Sequence, residues 1–247
     1  MTYCLGIRLN SGIVFASDSR TNAGVDNIST YRKLFVFETP GERVICVLTA
    51  GNLAVTQAVI SQLEEGLDGD TDGDTLYNVS SLTNAAQLVG RAIRNVHDRD
   101  QKYIEAEDGS ASSTFILGGQ IKGRRMRLFQ IYSAGNYIEA TEDTPYIQIG
   151  ESKYGKPILE RVVTPEMELL QAAKCALVSI DSTVRSNVAV ALPIDMMVMN
   201  VDECKVAMQQ RIQPEDPYYL QISKEWGEGL GKLFNDLPAP AWFDETS

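Results

Sequence analysis

Four short runs of strand-forming residues precede any helical pattern, and the first begins at residue 2 or 3, so the chain enters a sheet almost as soon as it starts. YCLGIRL, a turn near Asn10-Ser11-Gly12 and IVFAS read as a hairpin, and KLFVFET and RVICVLTA follow it, separated by Pro40-Gly41. A terminus that is itself part of a strand is placed by its ladder neighbours rather than left to fray. Helical spacing appears only afterwards, over Asn52 to Glu65 through Val55, Val59, Ile60 and Leu63, and over Leu82 to Arg99 through Ala85, Leu88, Val89, Ala92, Ile93 and Val96. Beyond residue 110, SSTFILGGQI, RMRLFQIYSAG, NYIEAT and PYIQIG predict four more strands, with a turn at Ser133 to Asn136. A helix is predicted over Pro165 to Ser179, with Thr164 as N-cap and Pro165 at its first position, and it ends or is followed by another around Asp181 to Ser186. VAVALPIDMMVMNV closes the regular part as strand interrupted by Pro193. This order predicts an α+β fold in which helices pack on antiparallel sheets.

No repeat or linker divides the chain before about residue 211. Residues 1–211 therefore read as one domain, and 212–247 as a C-terminal extension that carries both tryptophans, Trp226 and Trp242, and several further aromatic rings. Such rings either cover the parent domain or meet a neighbouring subunit.

Charge narrows the function classes. With 22 Lys and Arg against 33 Asp and Glu, the formal charge of -11 repels phosphate backbones and anionic lipid, which argues against nucleic-acid and membrane partners. The opening MTYCLGIRLNSG has neither the basic region nor the apolar run of a signal peptide, so a cytoplasmic protein is expected. Cys4, Cys46, Cys175 and Cys204 are scattered without a CxxC pair and read as reduced core thiols, with no metal site. His97, the only histidine, lies among Arg94, Asp98 and Arg99 and reads as solvated. Asp68, Asp70, Asp72 and Gly73 imitate the first half of a calcium loop, but its twelfth position is Val79 where a bidentate Glu is required. Gly227, Gly229 and Gly231 lack the strand that a dinucleotide fingerprint follows, and no cofactor is expected.

The chemistry-bearing residues are Thr2, Asp18, Lys33, Gly51 and Asp181. Thr2 follows the initiator Met and is small enough for that Met to be trimmed, which leaves a hydroxyl and a free α-amine on one residue. An α-amine titrates near pH ~8, close enough to neutrality to accept the hydroxyl proton. Lys33 would favour the ionised hydroxyl, and Asp18 would keep Lys33 oriented and charged. Gly51, in LTAGN at the junction of a strand and a helix, would present its N–H to a tetrahedral intermediate. Taken singly, Asp18 and Arg20 read equally as a surface ion pair, and Asp181 as a helix-end residue.

An N-terminal Thr, FASDSRTN, Lys33, TAGN, a TFILGG hairpin, YIQIGES and Asp181 together resemble the proteasome β-type hydrolases from Thr2 to about residue 205. TYCLGIRLNSGIVFASDSRTNAGVDNIS, GESKYGKPILER and SIDSTVRSN are similar more closely to Anbu, the ancestral β-subunit family of bacteria. The resemblance implies a four-layer αββα sandwich of the Ntn-hydrolase type, catalysis by Thr2 with Asp18 and Lys33, a terminal amine supported by Asp181, and a homo-oligomer that is ring-like or helical. It implies a peptide or amide substrate, with a specialised amidase or acyl-transfer enzyme and a weakly active assembly subunit as the alternatives. Two positions depart from the family pattern. Gly150 is followed by Glu151 and then Ser152 where a serine is usual, and position 184 is Val, so that Ser186 is the nearest following serine. Glu151, Ser152 and Ser186 are the candidates for the missing amine-supporting groups.

Overall fold

The computed structural model describes residues 2–22, 28–67, 73–106 and 109–243; Asp68, Asp70 and Asp72 of the acidic loop lie outside them. Twelve strands and five helices occupy the described residues. The opening hairpin, β1 (Tyr3–Arg8) and β2 (Gly12–Asp18), sits inside a five-stranded sheet of order β10-β1-β2-β11-β12, with β10 at Tyr146–Gly150, β11 at Ile194–Asn200 and β12 at Val206–Ile212. A second sheet runs β5-β6-β7-β8-β9 through Leu34–Thr39, Arg43–Gly51, Ser113–Ile121, Arg127–Ile131 and Tyr137–Glu139. β3 (Arg20–Asn22) and β4 (Ile28–Thr30) form a small ribbon of their own. Every strand pairing in both large sheets is antiparallel.

The sheets are stacked face to face, and helices cover both outer faces, which gives the αββα sandwich. Between the sheets Cys4, Ile13, Phe15 and Met197 meet Val44, Cys46, Leu48, Ile116 and Leu128. On the far side of the second sheet Ile45, Val47, Phe115 and Phe129 pack with α1 (Leu53–Glu65) and α2 (Leu82–Ala106) through Val59, Leu63, Leu88 and Ile93. β6 is therefore buried on both faces, so RVICVLTA reads as an unbroken apolar run rather than an alternation. α4 (Leu169–Ser186) packs on β1 and β2, and α3 (Lys156–Val162) packs against α4.

The third helical region differs from its expected form. Thr164 and Pro165 do not open a helix: the Pro165 carbonyl accepts a hydrogen bond from the Asn10 amide at 2.8 Å, which ties this stretch to the β1–β2 turn. Helix α4 starts later, at Leu169 behind Glu168, and runs unbroken through Asp181 to Ser186. α3 and β12 were not expected from the sequence. The chain divides into two compact units, Met1–Gln213 and Pro214–Ser247. The second holds α5 (Pro217–Asn235), capped by the Asp216 carboxylate on the Tyr219 amide.

Candidate active site

β2 ends at Asp18, and the carboxylate there is completely buried. Its Oδ1 accepts from Lys33 Nζ at 2.9 Å and from the Tyr3 amide at 3.0 Å. Lys33, itself 4% exposed, also donates to the Arg20 carbonyl at 2.6 Å. Its own carbonyl accepts from the Thr49 amide, which fastens the segment before β5 to β6. Burial pushes the Asp18 carboxyl up from its ordinary value, against the pull of the Lys33 charge and of the hydrogen bonds from Lys33 and Tyr3. An ion pair in such a place is a positioning device more than a source of stability, because two desolvated charges offset most of their own attraction.

Thr2, 8% exposed, lies where two clefts meet. One, of about 230 Å³, is lined by Thr2, Lys33, Gly51, Thr21, Thr49, Thr56 and neighbouring residues of α1. The other runs past Thr2, Gly51, Asn52, Ser110, Ser112, Gly150 and Glu151. Thr2, Lys33 and Gly51 thus line one cleft, with Asp18 bonded to Lys33.

Two glycines set the approach to Thr2. Gly150 has φ +81, and a Cβ on it would stand 1.9 Å from the Thr2 carbonyl oxygen; the next amide, Glu151 N–H, donates to that oxygen at 2.8 Å. Gly51 has φ +114, and a Cβ there would stand 2.3 Å from the Ser112 carbonyl oxygen. Both the backbone angle and the space therefore require glycine at each position.

The other expected residues are distributed unequally. Glu151 lines the second cleft beside Thr2, and its carboxylate lies 3.7 Å from the exposed Lys153 ammonium. Ser152 lines a separate depression with Tyr146, Gln148 and Lys156. Asp181 is buried in α4 and accepts from Arg185 Nε at 3.1 Å; it lines neither cleft. Ser186 is exposed at the end of α4 and lines neither. Cys4 faces the inter-sheet core, and burial pushes its thiol far above the ordinary range, so little thiolate forms. His97 is partly buried, its Nε2 3.0 Å from the Ala111 carbonyl.

Sequence reasoning missed the surroundings of Tyr3. Its hydroxyl lies 2.7 Å from Ser179 Oγ and is also bonded by Gln148 Nε2, partners 176 and 145 residues away. Nothing local in the sequence signals such contacts. The threonines of the first cleft were missed as well, because they come from β3, β6 and α1.

A family model for "Proteasome subunit" matches residues 2–199. The chain belongs to the proteasome subunit family. Within that family it is similar to solved Anbu structures along nearly its whole length. The Anbu (ancestral β-subunit) from Yersinia bercovieri is 51% identical with a TM-score of 0.88, covering 96% of this chain and 98% of that one. A Gly-1 mutant of Anbu from Hyphomicrobium sp. strain MC1 is 47% identical with a TM-score of 0.90, covering 97% and 99%. Anbu from Pseudomonas aeruginosa, described as a helical assembly, is 47% identical with a TM-score of 0.89, covering 96% and 98%. No curated protein matches the chain. These relationships make the chain an Anbu-type member of the family, and they support a hydrolase of the Ntn type. No helix among the described residues is long and apolar enough to cross a membrane.

Proposed function

We propose that the chain is an N-terminal threonine hydrolase that cleaves amide bonds of a peptide or small amide through an ester on Thr2. The observation that carries this reading is the shared cleft of Thr2, Lys33 and Gly51, with the buried Asp18 clamped on Lys33. Removal of Met1 exposes the Thr2 α-amine. That amine takes the hydroxyl proton as Oγ attacks the amide carbonyl carbon, while the Lys33 ammonium stays protonated and stabilises the developing alkoxide. The Gly51 N–H holds the tetrahedral oxyanion. The C–N bond then breaks, the leaving amine carries off the proton, and the acyl group remains on Oγ. Water, deprotonated by the same α-amine, adds to the ester carbonyl carbon; the C–Oγ bond breaks, the acyl group leaves as a carboxylic acid, and the proton on the amine returns to Oγ to restore the hydroxyl. Glu151, beside Thr2, and Asp181 on α4 are the acidic groups proposed to support the amine in its charged form. The working form is proposed to be a homo-oligomer, helical or ring-like; the Pseudomonas aeruginosa relative is described as a helical assembly.

Two measurements on the purified protein test this reading. Intact mass should lack one methionine. A peptide epoxyketone, which needs both a hydroxyl and a free α-amine on one residue to close its ring, should then add once, at Thr2. Thr2→Ala should abolish the adduct without changing the melting temperature appreciably. An adduct that maps to Cys4 overturns the assignment.

A further inference from the structure

Tyr3 follows the proposed nucleophile directly, is completely buried, and has a hydroxyl that the reaction above does not use. Its surroundings are built around that hydroxyl. Gln148 Nε2, on β10, can only donate, so the phenol oxygen accepts there and its proton is left for Ser179 Oγ, 2.7 Å away on α4. Gly155, the residue before α3, has an ordinary helical backbone angle and no conformational need to be glycine. Its need is for space: a Cβ at 155 would stand 2.2 Å from Ser179 Oγ and 2.5 Å from the Tyr3 hydroxyl. The backbone amide of Tyr3 donates to Asp18 Oδ1 at 3.0 Å, the oxygen that also holds Lys33.

We infer that Tyr3 is a positioning residue for Thr2: its phenol pins the start of β1 to β10 and to α4, while its amide ties the same residue to the Asp18–Lys33 pair. The inference rests on Thr2 being the nucleophile. One residue beyond Thr2, the chain is held by side-chain bonds to two elements and a backbone bond to the carboxylate that orients Lys33. Motion of the Thr2 hydroxyl relative to Lys33 and Gly51 is restricted accordingly. Buried volume alone would be served equally by Phe at position 3, whereas glycine at 155 leaves room for both partners of the bond, the Ser179 Oγ and the Tyr3 hydroxyl, and for the Ser179 carbonyl oxygen 2.9 Å from a Cβ there.

The test compares three variants of the trimmed, full-length protein by epoxyketone inactivation kinetics. Tyr3→Phe removes the hydroxyl and keeps the ring, and Gly155→Ala keeps the hydroxyl but crowds it. Leu5→Val perturbs a completely buried side chain of the same strand and serves as the packing control. Tyr3→Phe and Gly155→Ala should lower the maximal inactivation rate by about ten- to a hundredfold with little change in the half-saturating inhibitor concentration. Leu5→Val should lower the melting temperature but leave that rate within about twofold, as expected for a change that does not move the reacting atoms. Hydrogen exchange at the amides of residues 3 and 4 should be faster in the first two variants than in the control. Wild-type inactivation rates in Tyr3→Phe and Gly155→Ala overturn the inference, as does equal slowing by Leu5→Val. If the wild-type protein does not react, the reading of Thr2 falls by itself. Exchange at residues 3 and 4 then decides about the phenol, and unchanged exchange in Tyr3→Phe overturns its role.

Discussion

Lys33 Nζ lies 2.9 Å from Asp18 Oδ1, and the two side chains are 5% and 0% exposed. Both side chains are held away from solvent, so each orients the other. The pair also links the end of β2 to the segment before β5, and through the Tyr3 amide on the same oxygen it reaches the residue beside Thr2.

Removing one member of the pair should damage chemistry and stability together. Lys33→Ala takes away the positive charge beside the hydroxyl, and epoxyketone labelling should fall by at least about a hundredfold, in line with the loss of an electrostatic stabiliser. Breaking a buried pair from one side costs about 3–5 kcal/mol, less where the stranded carboxyl takes up a proton. Asp18→Asn should slow labelling nearly as much, because Lys33 loses its anchor. Thermal denaturation alongside labelling checks both effects, and wild-type labelling in both variants would leave the pair a structural feature only.

Acid should stop the reaction before it unfolds the protein through this group. The folded-state pKa of Asp18 is raised, so the folded protein binds that proton more readily than the unfolded chain does. Stability from this group therefore does not fall with pH; it increases as pH drops through the folded value. Labelling behaves oppositely, because a protonated Asp18 no longer orients Lys33. The rate should decline at a pH above the ordinary carboxylate value of about 3.9, separately from the rise near pH ~8 that accompanies loss of the proton from the α-amine. Rates and melting temperatures measured across the same buffers decide it, and a rate without any acid limb above pH ~4 contradicts it.

Gly51 and Gly150 should tolerate no side chain. A Cβ at either meets backbone at 2.3 or 1.9 Å, and both angles lie where L residues are strained, at about 1–3 kcal/mol each. Gly51→Ala should reduce labelling by about 10²-fold or more through displacement of the oxyanion donor. Gly150→Ala should displace Thr2 itself. Gly41→Ala is the comparison: its φ is +76 but a Cβ there meets nothing within 4 Å, so it should lower the melting temperature and spare the labelling rate.

The C-terminal unit should act in assembly. Leu233, Phe234, Leu237, Trp242 and Phe243 are all exposed in Pro214–Ser247, an unusual number of large apolar side chains for so short a piece. Sedimentation velocity should find the full-length protein as a large homo-multimer and a chain ending at Gln213 as a smaller species. A monomeric full-length protein at micromolar concentration contradicts the multimer, and an unchanged multimer after truncation contradicts the role of this unit.

The sequence by itself determined the parts that local chemistry can specify. The opening hairpin, the apolar run of β6 and the helix capped by Asn52 follow from residue patterns within one element, as do the turns at Gly41 and Gly135. Asp18, Lys33 and Gly51 stood out as a set because a terminal threonine has definite chemical needs. Tertiary structure decided the rest. Pro165 reads locally as a helix start, yet its carbonyl is taken by Asn10, more than 150 residues earlier, and α4 begins later. β12 is mostly exposed, and its apolar residues Val206, Ala207 and Met208 are followed by the polar Gln209, Gln210 and Arg211, so it carries no alternation; β11 offers it a ladder. Glu151 and Ser152 are adjacent in sequence, but only Glu151 lines a cleft with Thr2; the chain turns after β10, with the Ser152 amide bonded to the Gly150 carbonyl at 2.9 Å. The glycine at 155 is explained only by Tyr3 and Ser179. Its cause is a steric contact between distant segments, which a linear pattern does not encode.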